Sequence, residues 1–261
     1  MLSDPIFNFE IWLTLCAVGF AAGLIDAIAG GGGMLTVPTL LTTGLPPHIA
    51  LGTNKLAASF GSLTASITFY RKKLFDPHFW RLSILYTAIG AILGTLAVGY
   101  LSSEFLEKSI PIIIVVTAIY TLFSKTIVSD IQGLPPLSSR LKKIQSAQGF
   151  ILGFYDGVAG PGTGAFWTAS SSALYKINIL LSCGLARSTN FVSNFCSLLT
   201  FFYFGYVNVI IGISMGVFIM LGAAVGAHWA IKFGNRFIRP VFIIVVISMS
   251  VNLAYHAWFT Q

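Results

Sequence analysis

The chain has 261 residues, of which 56% are hydrophobic and only 9% are charged, and its mean hydropathy is +0.85. A soluble domain carries about 25% charged residues, so this composition excludes a soluble fold and indicates an all-α polytopic membrane protein. The net charge of +7 does not indicate a nucleic-acid partner, because the cations lie in short loops between apolar runs, where they normally set membrane topology.

In chain order, apolar runs lie at about 11–29, 34–43, 49–70, 79–101 and 110–123. A polar connector at 126–144 precedes further runs at about 147–159, to 175, 179–204, 207–231 and 237–258. In each half the first run is interrupted by a glycine cluster that no helix can cross. We therefore predict a first repeat at 1–125 and a second at 145–261, each with a glycine-broken element followed by three transmembrane helices.

The glycine breaks belong to one stretch that occurs twice. It reads GFAAGLIDAIAGGGG at 19–33 and GFILGFYDGVAGPGT at 149–163, and seven of the fifteen positions are identical at an offset of 130 residues. Isolated glycines such as Gly19, Gly23 and Gly90 are expected to allow close helix packing. A lone carboxylate precedes each break, Asp26 in the first copy and Asp156 in the second.

Loop charges predict the topology. If each broken run crossed the membrane once, the basic loops would divide eight to five between the two faces. If each broken run turns at its glycines and leaves by the face it entered, twelve loop cations share one face and Lys108 alone lies on the other. The positive-inside rule favours the second arrangement, which makes the halves inverted repeats with both termini outside the cytoplasm. Two full crossings in place of each re-entrant hairpin would give the same sidedness.

The breaks also predict a binding site. Paired broken helices at matching positions of two repeats are typical of transporter sites, and a helix that restarts after a break presents free N–H groups to an anion. Asn54 and Lys55 lie near the start of the run at 49–70. Arg187 and Asn190 lie near the start of the corresponding run at 179–204. A cation inside a membrane run needs a partner or a cavity, so we predict one central basic site.

The predicted substrate-binding residues come from both breaks and both cationic segments: Gly30, Gly31, Gly32, Gly33, Asn54, Lys55, Gly160, Gly162, Thr163, Gly164, Arg187 and Asn190. Asp26 and Asp156 are expected either to support the helix breaks or to couple transport to protons. A simpler alternative is that Lys55 pairs with Asp26, and Arg187 with Asp156, as structural ties.

Other chemistry is not expected. The three cysteines lie within apolar runs and do not predict a disulfide, and the histidines do not cluster, so we expect no metal, no cofactor and no catalytic residues. The first run lacks the basic start of a signal peptide and is expected to be retained. The expected partners are a small anion, H⁺ and membrane lipid. A dimer is one option for an oligomeric state that the residues leave open.

Three segments carry a family resemblance: GLIDAIAGGGGMLTVPTLL, GLPPHIALGTNKL and FYDGVAGPGTGAF. They resemble the TauE/SafE (TSUP, sulfite-exporter-like) family of membrane permeases over nearly the whole chain. The resemblance implies secondary transport of small sulfur-containing anions, such as sulfite or sulfonates, by alternating access through a bacterial inner membrane. The alternatives are a channel-like anion pathway and an intramembrane enzyme.

Overall fold

The structure is a computed structural model that describes residues 9–123 and 133–234, with side chains described outside 118–123. Within these ranges the chain is α-helical without strands, which confirms the predicted fold class. The predicted run at 237–258 lies outside the described residues, as do residues 126–132 of the connector. The helices are α1 Phe9–Ala29, α2 Gly32–Thr42, α3 Pro47–Arg71, α4 Arg81–Gly99, α5 Ser103–Phe123, α6 Ser139–Val158, α7 Thr163–Tyr175, α8 Ile179–Tyr203 and α9 Val209–Phe233.

Two helices begin earlier than their apolar runs. α5 begins at Ser103 and α6 at Ser139 because their first turns are polar but helical, and the Ser138 hydroxyl caps α6 by accepting from the amide of Leu141 at 3.1 Å. The 20 residues of α6 extend about 30 Å, whereas the predicted apolar run at 147–159 would extend only about 20 Å as a helix. α2 and α7, with 11 and 13 residues, are each shorter than the hydrocarbon core of about 30 Å.

The bundle has an apolar exterior and a polar interior. Three of the described helices, α1, α4 and α9, are long and apolar enough to cross a membrane. Large apolar side chains face outwards, among them Ile151 and Ile210, which are 63% and 64% exposed. Lys55 and Arg187, in contrast, are 1% and 0% exposed. A lipid-facing surface and buried, paired charges are what a membrane solvent requires.

The first helix of each half packs in parallel on the fourth helix of the other half. In the pair α1–α9, Gly19 lies against Met215 and Gly23 lies against Ile219, one turn further along both helices. A Cβ on Gly23 would stand 2.1 Å from the carbonyl oxygen of Ile219. The predicted packing role of Gly19 and Gly23 is therefore confirmed.

The pair α4–α6 repeats this geometry. Gly149 lies against Ser83 and Gly153 against Thr87, again in parallel, and a Cβ on Gly90 would stand 2.4 Å from the carbonyl oxygen of Phe150. The packing role predicted for Gly90 is confirmed as well.

The long helices α3 and α8 pack antiparallel through the middle of the bundle. Gly52, near the start of α3, lies against the backbone of Tyr206, which follows α8. Gly184, near the start of α8, lies against the backbone of Leu74, which follows α3. Each helix therefore carries its cation, Lys55 or Arg187, into the space beside the glycine breaks.

Candidate functional site

The two glycine breaks lie against each other in the interior of the bundle. Gly30 and Gly160 have φ angles of +90° and +89°, in the left-handed region that strains residues with a Cβ. The amide of Ala165 donates to the carbonyl of Gly30 at 3.1 Å, and a Cβ on Gly30 would stand 2.3 Å from the backbone of Gly164. Non-helical backbone at this depth is thus buried in protein, as a membrane interior demands.

A cavity opens where the breaks meet. The volume available in it to the centre of a water-sized sphere is about 30 Å³, which is room for about two waters. Twelve of the fourteen residues singled out from the sequence line it. They are Asp26, Gly30, Gly32, Gly33, Asn54, Lys55, Asp156, Gly160, Gly162, Thr163, Gly164 and Asn190.

Two predicted residues do not line the cavity. Gly31 is the N-cap of α2 and is buried. Arg187 lies behind the cavity wall, because a Cβ on Gly164 would stand 2.5 Å from its Nη1 atom. The substrate-binding role of all these residues stays a prediction.

The first of two charged corners is the Asp156 corner, formed by Asp156, Lys55, Thr163, Ser193 and Asn194. The ammonium of Lys55 lies 2.9 Å from Asp156 Oδ1, and donates to the Asp156 carbonyl at 2.6 Å and to Asn194 Oδ1 at 3.2 Å. The carboxylate of Asp156 also accepts from the hydroxyl of Thr163 at 3.0 Å and from that of Ser193. Both charges are buried and fully hydrogen-bonded, which is the arrangement that stabilises a buried ion pair.

The second is the Asp26 corner, formed by Asp26, Gly32 and Arg187. Asp26 Oδ1 accepts from the amide of Gly32 at the start of α2, at 3.1 Å. Arg187 Nη1 lies 3.8 Å from Asp26 Oδ2, beyond hydrogen-bond distance. Among the described residues, the three guanidinium nitrogens make no hydrogen bond of acceptable geometry, although the Cys183 thiol lies beside the guanidinium and the side chain is 0% exposed. The Asp26 side chain is 19% exposed.

The pairing of charges is crossed between the halves. Lys55 pairs with Asp156 and Arg187 faces Asp26, so the suggested ties of Lys55 to Asp26 and of Arg187 to Asp156 were wrong. The physical reason is that the halves interlock: the long helix of each half brings its cation to the carboxylate that precedes the break of the other half.

The cavity also contains residues outside the predicted set. Ala22, Ala58 and Ile219 supply apolar wall, whereas Thr36 and Asn194 are polar. The hydroxyl of Thr36 donates to Asn54 Oδ1 at 2.5 Å. Asn194 follows Asn190 by one helical turn, and this spacing is the signal that could have identified it. Ile219 comes from α9, and only packing brings it here.

The start of two helices faces this cavity. α2 begins at Gly32 and α7 at Thr163, and both residues are part of the wall. The first N–H groups of a helix lack partners within that helix and carry a partial positive charge. Together with Lys55 and Arg187, these N–H groups favour negative charge in the cavity. Among the lining residues, only Asp26 and Asp156 oppose it.

Comparisons with known proteins show the family of the chain. The sequence matches the family described as sulfite exporter TauE/SafE over residues 15–253. A Haemophilus influenzae protein named probable membrane transporter protein is 36% identical, with 97% of this chain and 98% of that protein covered. Proteins of Sinorhizobium sp and Escherichia coli (strain K12), named probable membrane transporter protein ORF9 and YfcA, are 34% and 35% identical, with coverages of 97% and 95%, and of 91% and 87%. No solved structure matches the chain significantly.

Proposed function

Since this chain belongs to the TauE/SafE family of membrane transporters, we propose that it is a secondary transporter for small, sulfur-containing oxyanions, and that the anion binds between the two glycine breaks. The bacterial inner membrane is the proposed location, with the basic loops in the cytoplasm and both termini outside. Alternating access is the proposed mechanism, in which one half moves against the other around the site.

One observation carries the anion site: a buried arginine whose hydrogen-bond donors are unused. Arg187 has no hydrogen bond to the described residues, and its one ion pair is 3.8 Å long. An unsatisfied buried charge costs several kcal/mol, and an oxyanion removes this cost because the guanidinium fork matches its oxygens. Only Gly164 separates the Arg187 guanidinium from the cavity. A small shift of the arginine side chain would therefore bring it into contact with the bound anion.

The size of the cavity supports a compact substrate. With room for about two waters, it suits sulfite better than a long-chain sulfonate. The walls contribute side-chain amide donors from both long helices, namely Asn54 of α3 and Asn190 of α8, which suits an anion with oxygens in different directions.

Charge balance supports proton coupling. Lys55 and Arg187 are offset by Asp156 and Asp26, so an anion adds one uncompensated negative charge to a buried site. A proton on Asp26 restores neutrality and frees Arg187 to bind the anion. Asp26 suits this role better than Asp156, because it is partly exposed and accepts one hydrogen bond, whereas Asp156 holds Lys55, Thr163 and Ser193.

Inverted repeats are part of the proposal. α1 runs parallel to α9, and α6 runs parallel to α4. Since α3 and α8 are antiparallel, the basic residues after α3 and at the starts of α4 and α6 share one end of the bundle. α1 starts at the opposite end. Both observations support re-entry of the broken elements from opposite faces.

Ligand-dependent thermal stability tests the site. The purified protein in detergent is heated with sulfite, methanesulfonate or chloride, and a ligand at about 100 times its Kd stabilises the fold by about 2.7 kcal/mol. We expect sulfite to raise the unfolding temperature of the wild type, but not of Arg187→Met. Arg71→Met, at the exposed end of α3, is the matched control and should respond like the wild type. Full sulfite stabilisation of folded Arg187→Met would refute the proposed anion site.

A further inference from the structure

Apolar side chains pack on both routes from the central cavity to the ends of the bundle, but the routes differ in the buried polar groups that they contain. At the end where α1 and α9 begin, the route is filled by an apolar cluster, here called the apolar seal. Its buried members are Leu15, Leu40, Ala50, Ala57, Ile211, Met215 and Ile219. Nothing in this seal offers a hydrogen bond to water or to an anion.

The repeat locates the counterpart of the seal in the other half. α1 and α2 correspond to α6 and α7 at the offset of 130 residues. Gly23 lies against Ile219, and its counterpart Gly153 lies against Thr87. Ile219 and Thr87 are therefore counterparts (219 less 87 is 132), and by the same register Met215 corresponds to Ser83.

Polar residues occupy four of the counterpart positions. Leu15 becomes Gln145, Leu40 becomes Ser170, Met215 becomes Ser83 and Ile219 becomes Thr87. With their neighbours on α6 and α7 they form what we call the polar cluster: Ser83, Thr87, Gln145, Gln148, Trp167, Ser170, Ser171 and Tyr175. It lies near the starts of α4 and α6, between the central cavity and the basic end of the bundle.

Part of the polar cluster is hydrogen-bonded internally. Gln148 Nε2 donates to the hydroxyls of Ser170 and Ser171 at 2.8 and 3.0 Å, and its Oε1 accepts from the Tyr175 hydroxyl at 2.6 Å. Ser83 lies near that tyrosine hydroxyl without forming a hydrogen bond of acceptable geometry. This network holds Gln148 in place and leaves other polar atoms of the cluster free.

Four polar atoms of the cluster are buried and unpaired. Ser83 Oγ, Thr87 Oγ1, Gln145 Oε1 and Trp167 Nε1 make no hydrogen bond with any described residue, and all four residues are 0% exposed. Buried polar groups are almost always satisfied, by protein or by ordered water. Apolar residues at these four positions would avoid the free-energy cost of burying unpaired polar groups. The seal has apolar residues at three of the counterpart positions, Leu15, Met215 and Ile219.

We infer that the polar cluster is a hydrated vestibule through which the anion passes between the central cavity and the basic end of the bundle. The unpaired groups hold water and then exchange it for oxyanion oxygens as the anion moves. The seal closes the opposite route in this conformation. The inference rests on the proposed transport function, and it adds a second set of substrate contacts on one side only.

Hydroxyl-radical footprinting of the wild-type protein tests hydration without any substitution. Trp167 in the polar cluster and Met215 in the seal are both radical-sensitive and both 0% exposed. Radicals form from water, so each rate is normalised to that of the same residue in the denatured protein. We expect faster normalised oxidation of Trp167 than of Met215. Equal rates, or a faster rate at Met215, would overturn the inference, whether or not the protein transports sulfite.

Thr87→Val tests passage of the anion. A buried hydroxyl that has no partner and no role in passage should be dispensable, because its replacement by a methyl group of the same size removes an unsatisfied polar group. A vestibule hydroxyl, in contrast, should slow sulfite uptake into proteoliposomes about fivefold, the effect of one lost hydrogen bond, while sulfite still stabilises the purified variant. Thr64→Val is the matched control, because its hydroxyl bonds only the carbonyl of Phe60 in its own helix.

The outcomes of this second test separate the two proposals. Slower uptake by Thr87→Val with retained stabilisation by sulfite supports the vestibule. Uptake at the wild-type rate refutes it and leaves the central site intact. Loss of stabilisation by sulfite in the wild type itself refutes the proposed function, and footprinting then still decides whether the cluster is hydrated.

Discussion

The Asp156 corner and the Asp26 corner contain aspartates from the same repeated stretch, yet the two carboxylates differ in how many hydrogen bonds and close ion pairs they make. At the Asp156 corner, the carboxylate receives Lys55, Thr163 and Ser193, all within hydrogen-bond distance. At the Asp26 corner, the carboxylate receives one backbone amide and faces Arg187 at 3.8 Å. Position 163 is threonine where its counterpart, Gly33, has no side chain, so the Asp156 corner gains a hydrogen bond that the Asp26 corner cannot form.

This difference indicates a division of labour between the halves. A buried ion pair that is fully hydrogen-bonded gains little from a ligand, because its donors are already used. A buried guanidinium whose donors have no partner among the described residues is stabilised much more by an anionic ligand. The Asp156 corner is therefore suited to hold the second break to α3 and α8, and the Asp26 corner to exchange partners during transport.

The largest expected effect compares the two aspartates directly. Asp156→Asn leaves the ammonium of Lys55 buried without its ion pair, which should lower the free energy of unfolding by about 3–5 kcal/mol. Asp26→Asn should cost about 1.5 kcal/mol, because it weakens one hydrogen bond to a charged group, that from the Gly32 amide, and removes an ion pair that is already 3.8 Å long. Thermal unfolding in detergent measures both. Lys55→Met combined with Asp156→Leu should recover part of the loss, and equal losses for the two asparagine variants would contradict the division of labour.

A smaller effect should be equal in the two halves. Gly23→Ala and Gly153→Ala would place a Cβ 2.1 and 2.4 Å from a backbone oxygen of the neighbouring helix. We expect each to lower the free energy of unfolding by about 2 kcal/mol through overpacking. Gly133→Ala meets nothing within 4 Å and should be neutral. If only one of the two variants were destabilised, the helix pairs would be as asymmetric as the corners.

Asp26→Asn, the aspartate variant with the smaller expected loss of stability, should also lose proton coupling. For the wild type, an acidic exterior should speed sulfite uptake into proteoliposomes, because a proton on Asp26 frees Arg187. Asp26→Asn, which cannot take up that proton, should lose the response while remaining folded. Glu104→Gln, at an exposed ion pair with Lys108, should keep it. A wild type that ignores an imposed pH gradient, or an Asp26→Asn variant that still responds, would exclude this coupling.

Much of the fold was predictable from local pattern. The apolar runs located the helices, and the glycine clusters located both breaks, because length, hydropathy and glycine content are local properties of the chain. The same runs misplaced the starts of α5 and α6, since a capped polar turn is helical without being apolar. The division into two repeats stays a prediction, as does the role of each cavity residue.

Local pattern is enough to identify a helical membrane protein with two matched breaks, two cations inside apolar runs and two carboxylates. How these charges combine depends on the packing of the two halves. Lys55 pairs with Asp156 and Arg187 faces Asp26 because the long helices cross between the halves, and no spacing within one half carries that information. Burial decided whether the Arg187 guanidinium is hydrogen-bonded. At a surface, water would satisfy it. It lacks hydrogen-bond partners among the described residues because α8 carries it into the interior.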